Sequence, residues 1–362
     1  MSGKGKKENN MKKTALIALL LSLCLLLAAC GSAAAPASTQ EPVPAEVPTP
    51  AEDPTPTEEP VALDNELPVR VMVLNGTTGF GMAPLIASSE AGQAALNYSF
   101  TVESDASVVT AALVSGEADI AALPTNAASA LYNKTQGQVQ LLAINTLGVL
   151  YLVSDGSVPV ESFADLEGQT VYAPAQNPSF IFSYLCAANG VNVSVDNSYA
   201  QPAELNAVLS SGEAGDVHLA VLPEPMVTIA RSKNQALSVA LDLTVEWDKV
   251  SEPGSLVQGC LVVRRDFAEA HPAELAAFLT EYENSVKLLL DDPAAGAQAV
   301  EAAGVFQSAA VAEKAIPRCN ICFVSGEAMK APMAAFLQIM FETAPQSIGG
   351  ALPGDDFYCV LK

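Results

Sequence analysis

Basic residues are scarce in this sequence: 17 Lys and Arg stand against 40 Asp and Glu, for a formal net charge of −23. A surface of that sign repels phosphate backbones, which argues against nucleic acid as a partner. Aromatic residues are also few, 6% with a single Trp, so stacking platforms for single strands are lacking too. Histidine occurs only as His218 and His271. His218 falls in a segment that reads as a buried strand, His271 precedes Pro272 at a helix start, and neither lies beside a candidate nucleophile. No Gly-x-Ser-x-Gly elbow, His-Glu-x-x-His helix or phosphate loop is present. The glycine-containing stretch "NGTTGFG" at Asn75–Gly81 lacks both the Lys of a phosphate loop and the full Gly-x-Gly-x-x-Gly spacing. The expectation is therefore a protein that is not an enzyme, with no cofactor and no metal site.

What is abundant is apolar. Half of the 362 residues are hydrophobic and 16% are charged, enough for two globular lobes. The apolar run Thr14–Ala29 follows a lysine-rich start; it is short for a membrane span and fits the core of an export signal. It ends in Leu27-Ala28-Ala29-Cys30-Gly31, which resembles the bacterial lipobox. That resemblance implies a lipid on Cys30, cleavage of residues 1–29, and anchoring to the membrane through acyl chains. Either Met1 or Met11 serves as the start. Residues 30–66 follow, rich in Pro, Ala, Glu and Thr with neither an aromatic nor a basic residue. Such a composition does not offset chain entropy by burial and reads as a disordered tether, reaching roughly 100 Å at full stretch. The localisation expected is the outer face of the cytoplasmic membrane.

The body, 67–362, carries a repeated phrase. "SGEADIAALPTNAASAL" begins at Ser115 and "SGEAGDVHLAVLPEPMVTIA" at Ser211. Each copy stands third in a matching series. The first series is a strand "VRVMVL", a polar turn at Asn75–Gly79, a helix from Phe80, a strand near "YSFTVE", a helix near "ASVVTAALVSG", then a strand "DIAAL" and a helix from Pro124 or Thr125. The second is a strand in "QTVYA", a turn at Ala175–Ser179, a helix from Phe180, a strand near "NVSVDNSYA", a helix in "PAELNAVLSSG", then a strand "VHLAVL" and a helix from Pro223. Alternating strands and helices imply α/β lobes on parallel-type sheets. The fold class expected is α/β with two similar lobes.

The phrases "VMVLNGTTGFGMAPLI", "GEADIAALPTNAASALYNK", "VQLLAINTLGVLYLVS", "AIPRCNICF" and "PQSIGGALPGDDFYC" resemble the solute-binding lipoproteins of ABC importers. The branch resembled includes binders of aliphatic sulfonates, nitrate, taurine and thiamine precursors. The resemblance implies a Venus-flytrap periplasmic-binding-protein fold with a two-strand hinge. It further implies a monomer that takes a small-molecule solute in the cleft and hands it to an ABC permease. On that reading lobe 1 spans about 67–147 and 262–362, and lobe 2 about 153–256. A ligand-sensing lipoprotein shares all these features, and an enzyme on the same fold is the remaining alternative.

Ligands of open α/β sheets bind beyond the carboxyl ends of strands. The residues there are Asn75, Thr77, Thr78 and Phe80, then Thr125 and Asn126, with Asn145 and Thr146 at the crossover. The second lobe offers Gln176, Asn177, Ser179 and Phe180, then Glu224 and Met226. Thr77, Thr125 and Ser179 fit helix N-caps equally well, and Glu224 fits a favoured first-turn acid. None of these turns holds a Lys or Arg. If Glu224, standing where lobe 1 has Thr125, faces the cleft, it favours a neutral or cationic heterocycle, with rings stacking on Phe80, Phe180 or Trp247; the helix N-termini at Thr77–Thr78 or Asn177–Ser179 suit an anion such as a sulfonate or carboxylate, so the ligand stays open. In the body, Cys186, Cys260, Cys319, Cys322 and Cys359 are expected as buried thiols, with a disulfide from Cys319 or Cys322 to Cys359 left open.

Overall fold

The computed structural model describes residues 63–213 and 215–361. The expected export signal, Cys30 and residues 31–62 of the expected tether lie outside the described residues; the last four residues assigned to the tether are described, with Leu63 packed on the core of the body and the Asp64 N–H donating to Glu274 Oε1 at 2.9 Å.

The chain opens with β1 (Pro68–Leu74), α1 (Thr77–Phe80), α2 (Ala83–Glu90), β2 (Asn97–Glu103), α3 (Ala106–Ser115), β3 (Ile120–Pro124), α4 (Thr125–Thr135) and β4 (Val139–Thr146). It continues through β5 (Leu150–Ser154), β6 (Thr170–Tyr172), α5 (Asn177–Ala188), β7 (Ser194–Asp196), α6 (Pro202–Ser211), β8 (Leu219–Pro223), α7 (Met226–Lys233), β9 (Ser238–Asp242) and α8 (Leu243–Val250). It returns with β10 (Gly259–Arg264), α9 (Arg265–Ala270), α10 (Pro272–Asp291), α11 (Pro293–Ala302), α12 (Ala309–Ala315), β11 (Ile321–Ser325) and α13 (Lys330–Thr343).

Two sheets result. The first has the order β11-β4-β10-β3-β1-β2 and the second β7-β6-β8-β5-β9. Both are mixed, where alternation of strands and helices suggested parallel sheets. The parallel pairs are β1 with β2 and β3, and β6 with β7 and β8. The antiparallel strands are those that begin at the junction between the sheets. β5 runs against β8 and β9, and β10 runs against β3 and β4. A strand that enters from the junction runs away from it, whereas β1, β3, β6 and β8 end there. Crossing between lobes therefore reverses the strand direction, and the sequence period carries no sign of direction.

The repeated phrase forms α3-β3-α4 in one lobe and α6-β8-α7 in the other. Gly116 and Gly212 end the first helix of each copy in the left-handed conformation, with φ 81° and 73°. Glycine takes that conformation without the Cβ penalty, which explains its place in both copies. Two helix starts shift from their expected places. α5 begins at Asn177, before Phe180, because Pro178 fits a first turn that needs no N–H there. α7 begins at Met226 behind Pro225. His218 precedes β8, is half-exposed, and bonds the Asp155 carboxylate at 2.8 Å, so it is not the buried strand residue expected.

β4 and β5 are buried at every position, "VQLLAINT" and "LYLVS", because they lie inside their sheets and cross the junction. One apolar core runs continuously past the crossing, joining Leu123 and Ile144 to Leu150, Leu219, Trp247 and Phe336. A second fills the other face of the six-stranded sheet around Val71, Phe278 and Leu289, and a third underlies Leu205, Leu222 and Val227. Between β4 and β5 the crossing is three residues, Leu147–Val149. A Cβ on Gly148 would lie 2.1 Å from Thr244 Oγ1 and 2.6 Å from Leu256 Cδ2, so only glycine fits.

The five body cysteines are free thiols, and the Cys319 or Cys322 to Cys359 disulfide is not formed. Cys319 instead donates to the Ala315 carbonyl at 3.1 Å. Burial pushes the Cys186 and Cys322 thiols up to about 12 and raises those of Cys260, Cys319 and Cys359.

Two expectations follow. Gly148→Ala overpacks the crossing and costs about 1–3 kcal/mol, read as a lowered melting temperature. At pH 8 the body cysteines stay protonated and shielded, so peptide mapping after treatment with a thiol reagent finds them unmodified until denaturant is added.

Candidate functional site

The strands β1, β3, β6 and β8 point their carboxyl ends at the same junction, so the turns that follow them meet there. Asn126, in the first turn of α4, accepts a hydrogen bond at 2.9 Å from Asn177 Nδ2, the first residue of α5. This bond joins the two lobes across the cleft. Gln176 is exposed beside it in a left-handed conformation at φ 67°, and Phe180 is half-buried. Asn126, Gln176 and Phe180 line a cavity of about 450 Å³ that Ala344–Ser347 complete on the other side. A second cavity of about 490 Å³ lies where Asn75 and Gly76, after β1, face Pro225 and Met226, after β8.

The N-cap alternative fails for all three residues it concerned. The N-caps of α1, α4 and α5 are Gly76, Pro124 and Gln176, none with a side-chain cap bond. Thr77 and Thr125 instead open their helices, and Ser179 is buried in the first turn of α5. Thr125 Oγ1 and Asn177 Oδ1 are buried polar atoms without a hydrogen-bond partner among the described residues. Thr125 lies beside the Cys260 thiol, and an unmade bond at a buried atom such as Asn177 Oδ1 costs about 1–3 kcal/mol.

Other expected residues are structural. Asn145 and Thr146 are buried; Asn145 Nδ2 donates to the Thr78 carbonyl at 2.9 Å, and Thr146 Oγ1 donates to Asn145 Oδ1 at 3.1 Å. They tie β4 to the α1 turn. Phe80 is fully buried against the edge of Phe306, with ring centroids 6.0 Å apart. Trp247 is fully buried between Tyr184 and Phe336 and donates Nε1 to Ser255 Oγ at 2.9 Å. Neither ring offers a face for stacking; of the three aromatics expected to stack, Phe180 alone borders a cavity of the cleft.

Glu224 departs most from the expectation. Its side chain has no exposed surface, yet it does not await a cationic ligand. Arg318, just before β11 in the opposite lobe, donates Nε to Glu224 Oε1 at 2.7 Å and Nη2 to Thr228 Oγ1 at 2.7 Å. Glu224 Oε2 accepts the Thr228 N–H at 3.1 Å, in the first turn of α7. The Arg318 carbonyl accepts Tyr151 OH at 2.8 Å, and Asn320 Nδ2 donates to the Gly148 carbonyl at 2.5 Å. Burial and the Asp242 and Glu224 carboxylates push the Tyr151 hydroxyl up, so it remains a donor. Sequence reading missed Arg318 because it precedes a strand rather than following one. The quoted phrase "AIPRCNICF" held it, but only the fold brings it to Glu224.

Removing one partner of a buried pair leaves the other charge uncompensated, at about 3–5 kcal/mol; the partial exposure of Arg318 lowers that figure. Arg318→Met is therefore expected to destabilise the protein by about 2–3 kcal/mol. Adding Glu224→Leu restores most of the loss. A double-mutant cycle read by denaturant unfolding checks both.

No cluster of three or more His, Cys, Asp or Glu side chains able to hold a metal occurs among the described residues, and no described helix is long and apolar enough to cross a membrane. An ABC transporter protein from Parabacteroides distasonis, 23% identical, superposes with a TM-score of 0.67 over 81% of this chain and 99% of that one. The periplasmic aliphatic sulphonate binding protein of Escherichia coli, 14% identical, gives 0.61 over 82% and 94%. A Candida albicans protein described as having the generic periplasmic binding protein fold, 12% identical, gives 0.53 over 80% and 99%. At these identities the likeness shows the fold, which is the two-lobed α/β fold expected. No curated protein matches the chain. A family profile described as menaquinone biosynthesis matches residues 80–315, well over half of the sequence, and the chain belongs to that family.

Proposed function

We propose that this chain is the solute-binding component of an ABC importer. It captures a small organic solute between its lobes and delivers it to a membrane permease. The observation that carries the reading is the bond from Asn177 to Asn126 across the cleft, flanked by inter-lobe cavities at the strand ends. A solute that touches both lobes favours their closed arrangement, and the permease reads that arrangement. The candidate ligand-contact set is Asn75, Thr77, Thr78, Thr125, Asn126, Gln176, Asn177, Ser179 and Phe180. The binding proteins among the solved structures of the same fold support the reading. The body acts as a monomer held at the outer face of the cytoplasmic membrane by lipid on Cys30.

A second reading rests on the family match. In it the cleft performs a chemical step on a metabolite of menaquinone biosynthesis. The full pairing of Glu224 with Arg318 and Thr228 weighs against that carboxylate as a free acid or base.

A thermal-shift screen of a metabolite panel tests the two. A solute at a hundredfold its dissociation constant contributes about 2.7 kcal/mol, a shift of a few degrees for a body this size. Binding with the solute recovered unchanged supports the importer reading, and conversion to a product of different mass overturns it. Asn126→Ala or Gln176→Ala is expected to weaken binding at least tenfold while leaving the unliganded melting temperature within about a degree. Cys30→Ser is expected to move the protein from the membrane fraction to the soluble one.

A further inference from the structure

The repeat makes the cleft pseudo-symmetric. β1 and β3 of one lobe correspond to β6 and β8 of the other, and each pair is adjacent in its sheet. Across the cleft the pairing is exchanged. The turn after β3 meets the turn after β6 through Asn126 and Asn177. The turn after β1 meets the turn after β8 through Asn75, Pro225 and Met226. The exchange goes with two inter-lobe cavities.

The two cavities differ in their share of large apolar side chains, one in the first and five in the second. The β3–β6 cavity presents amide and hydroxyl groups: Asn126, Gln176, Gln346 and Ser347, beside the Phe180 ring. The β1–β8 cavity is walled mainly by Met226, Ile229, Val305, Phe306 and Val311, from both lobes, and also carries the polar side chains of Asn75, Gln307 and Ser308. Neither lining contains a charged residue. Glu224, the acid adjoining the second cavity, is withdrawn into its pair with Arg318. A charged ligand group in these cavities would lose water without gaining a partner of opposite charge. An apolar group in the second would gain about 25 cal/mol for each Å² it buries.

Resting on the importer reading, we infer that the solute is elongated and amphipathic. A carbonyl-bearing head occupies the Asn126–Gln176 cavity, and an apolar end occupies the Met226–Phe306 cavity. Each end touches both lobes, and the solute's length is what joins the two cavities. The mean spacing of neighbouring strands, about 4.8 Å, sets the offset between the two ends at a few bond lengths. The difference between the lobes at Thr125 and Glu224 belongs to this polarity: the acid recruits Arg318, and the pair removes charge from the apolar end.

The test uses two homologous series, propanamide through octanamide and propanoate through octanoate, on protein carrying ¹³C-labelled methionine methyls. The longer members are expected to shift the Met226 methyl resonance and the shorter ones to leave it in place. Each added methylene is expected to tighten binding about fourfold until the cavity is filled. The amides are expected to bind more tightly than the carboxylates of equal length, since neither cavity supplies a counter-charge. Met226→Leu retains the length dependence, and Ile229→Asn flattens it in a protein that still melts cooperatively. Affinity independent of length, an unmoved Met226 resonance, or the absence of binding in both series overturns the inference. A panel solute that stabilises the protein without moving Met226 overturns it as well, yet leaves the importer reading standing. That reading fails separately, if the protein converts a solute or if no panel solute stabilises it.

Discussion

A carboxylate with no exposed surface lies at the junction of two separately folded sheets, and a guanidinium from the opposite lobe satisfies it. Glu224 belongs to the end of β8, and Arg318 to the approach to β11. Neither lobe alone completes the pair. The backbone at each end of the three-residue crossing is held within its own lobe: the Leu147 N–H donates to the Asn320 carbonyl, and the Glu224 N–H donates to the Val149 carbonyl. Between the lobes the Tyr151 hydroxyl donates to the Arg318 carbonyl beside the ion pair. Buried charge is costly unless paired, so the junction has a preferred geometry rather than a free swivel.

From that junction the rest of the arrangement follows. Strands that end at it carry the turns that meet across the cleft, and strands that begin at it are antiparallel to them. The apolar core continues past the crossing through Leu150, Trp247 and Phe336. Pairing of Glu224 also settles the electrostatics of the cleft. A chain with a net charge of −23 presents two inter-lobe cavities that are lined without charge.

Much of this was legible in the sequence. The repeated phrase located the two helix–strand–helix units and so the two lobes. The β-rich run from Val139 to Ser154 marked the crossing. The turns after the strands were found because a strand's end is a local feature. What escaped was set by distance in the chain. Arg318 is 94 residues from Glu224, and nothing local to either forecasts the contact. Phe80 and Trp247 read as ring platforms by type, but burial is decided by what packs on them, here Phe306 for one and Tyr184 with Phe336 for the other. Sheet direction was missed for the same reason, since period-2 burial is identical in parallel and antiparallel strands.

The claim at the centre is that the two lobes move together around a bound solute. Spin labels at Val114→Cys and Val245→Cys, both on exposed helix positions in different lobes, report the distance directly. The native thiols are buried or largely so and do not compete. Double electron–electron resonance on the free protein, and again with a saturating solute, is the measurement. The expected result is a distance distribution that shifts and narrows on binding. An unchanged distribution with the solute stoichiometrically bound would contradict lobe closure.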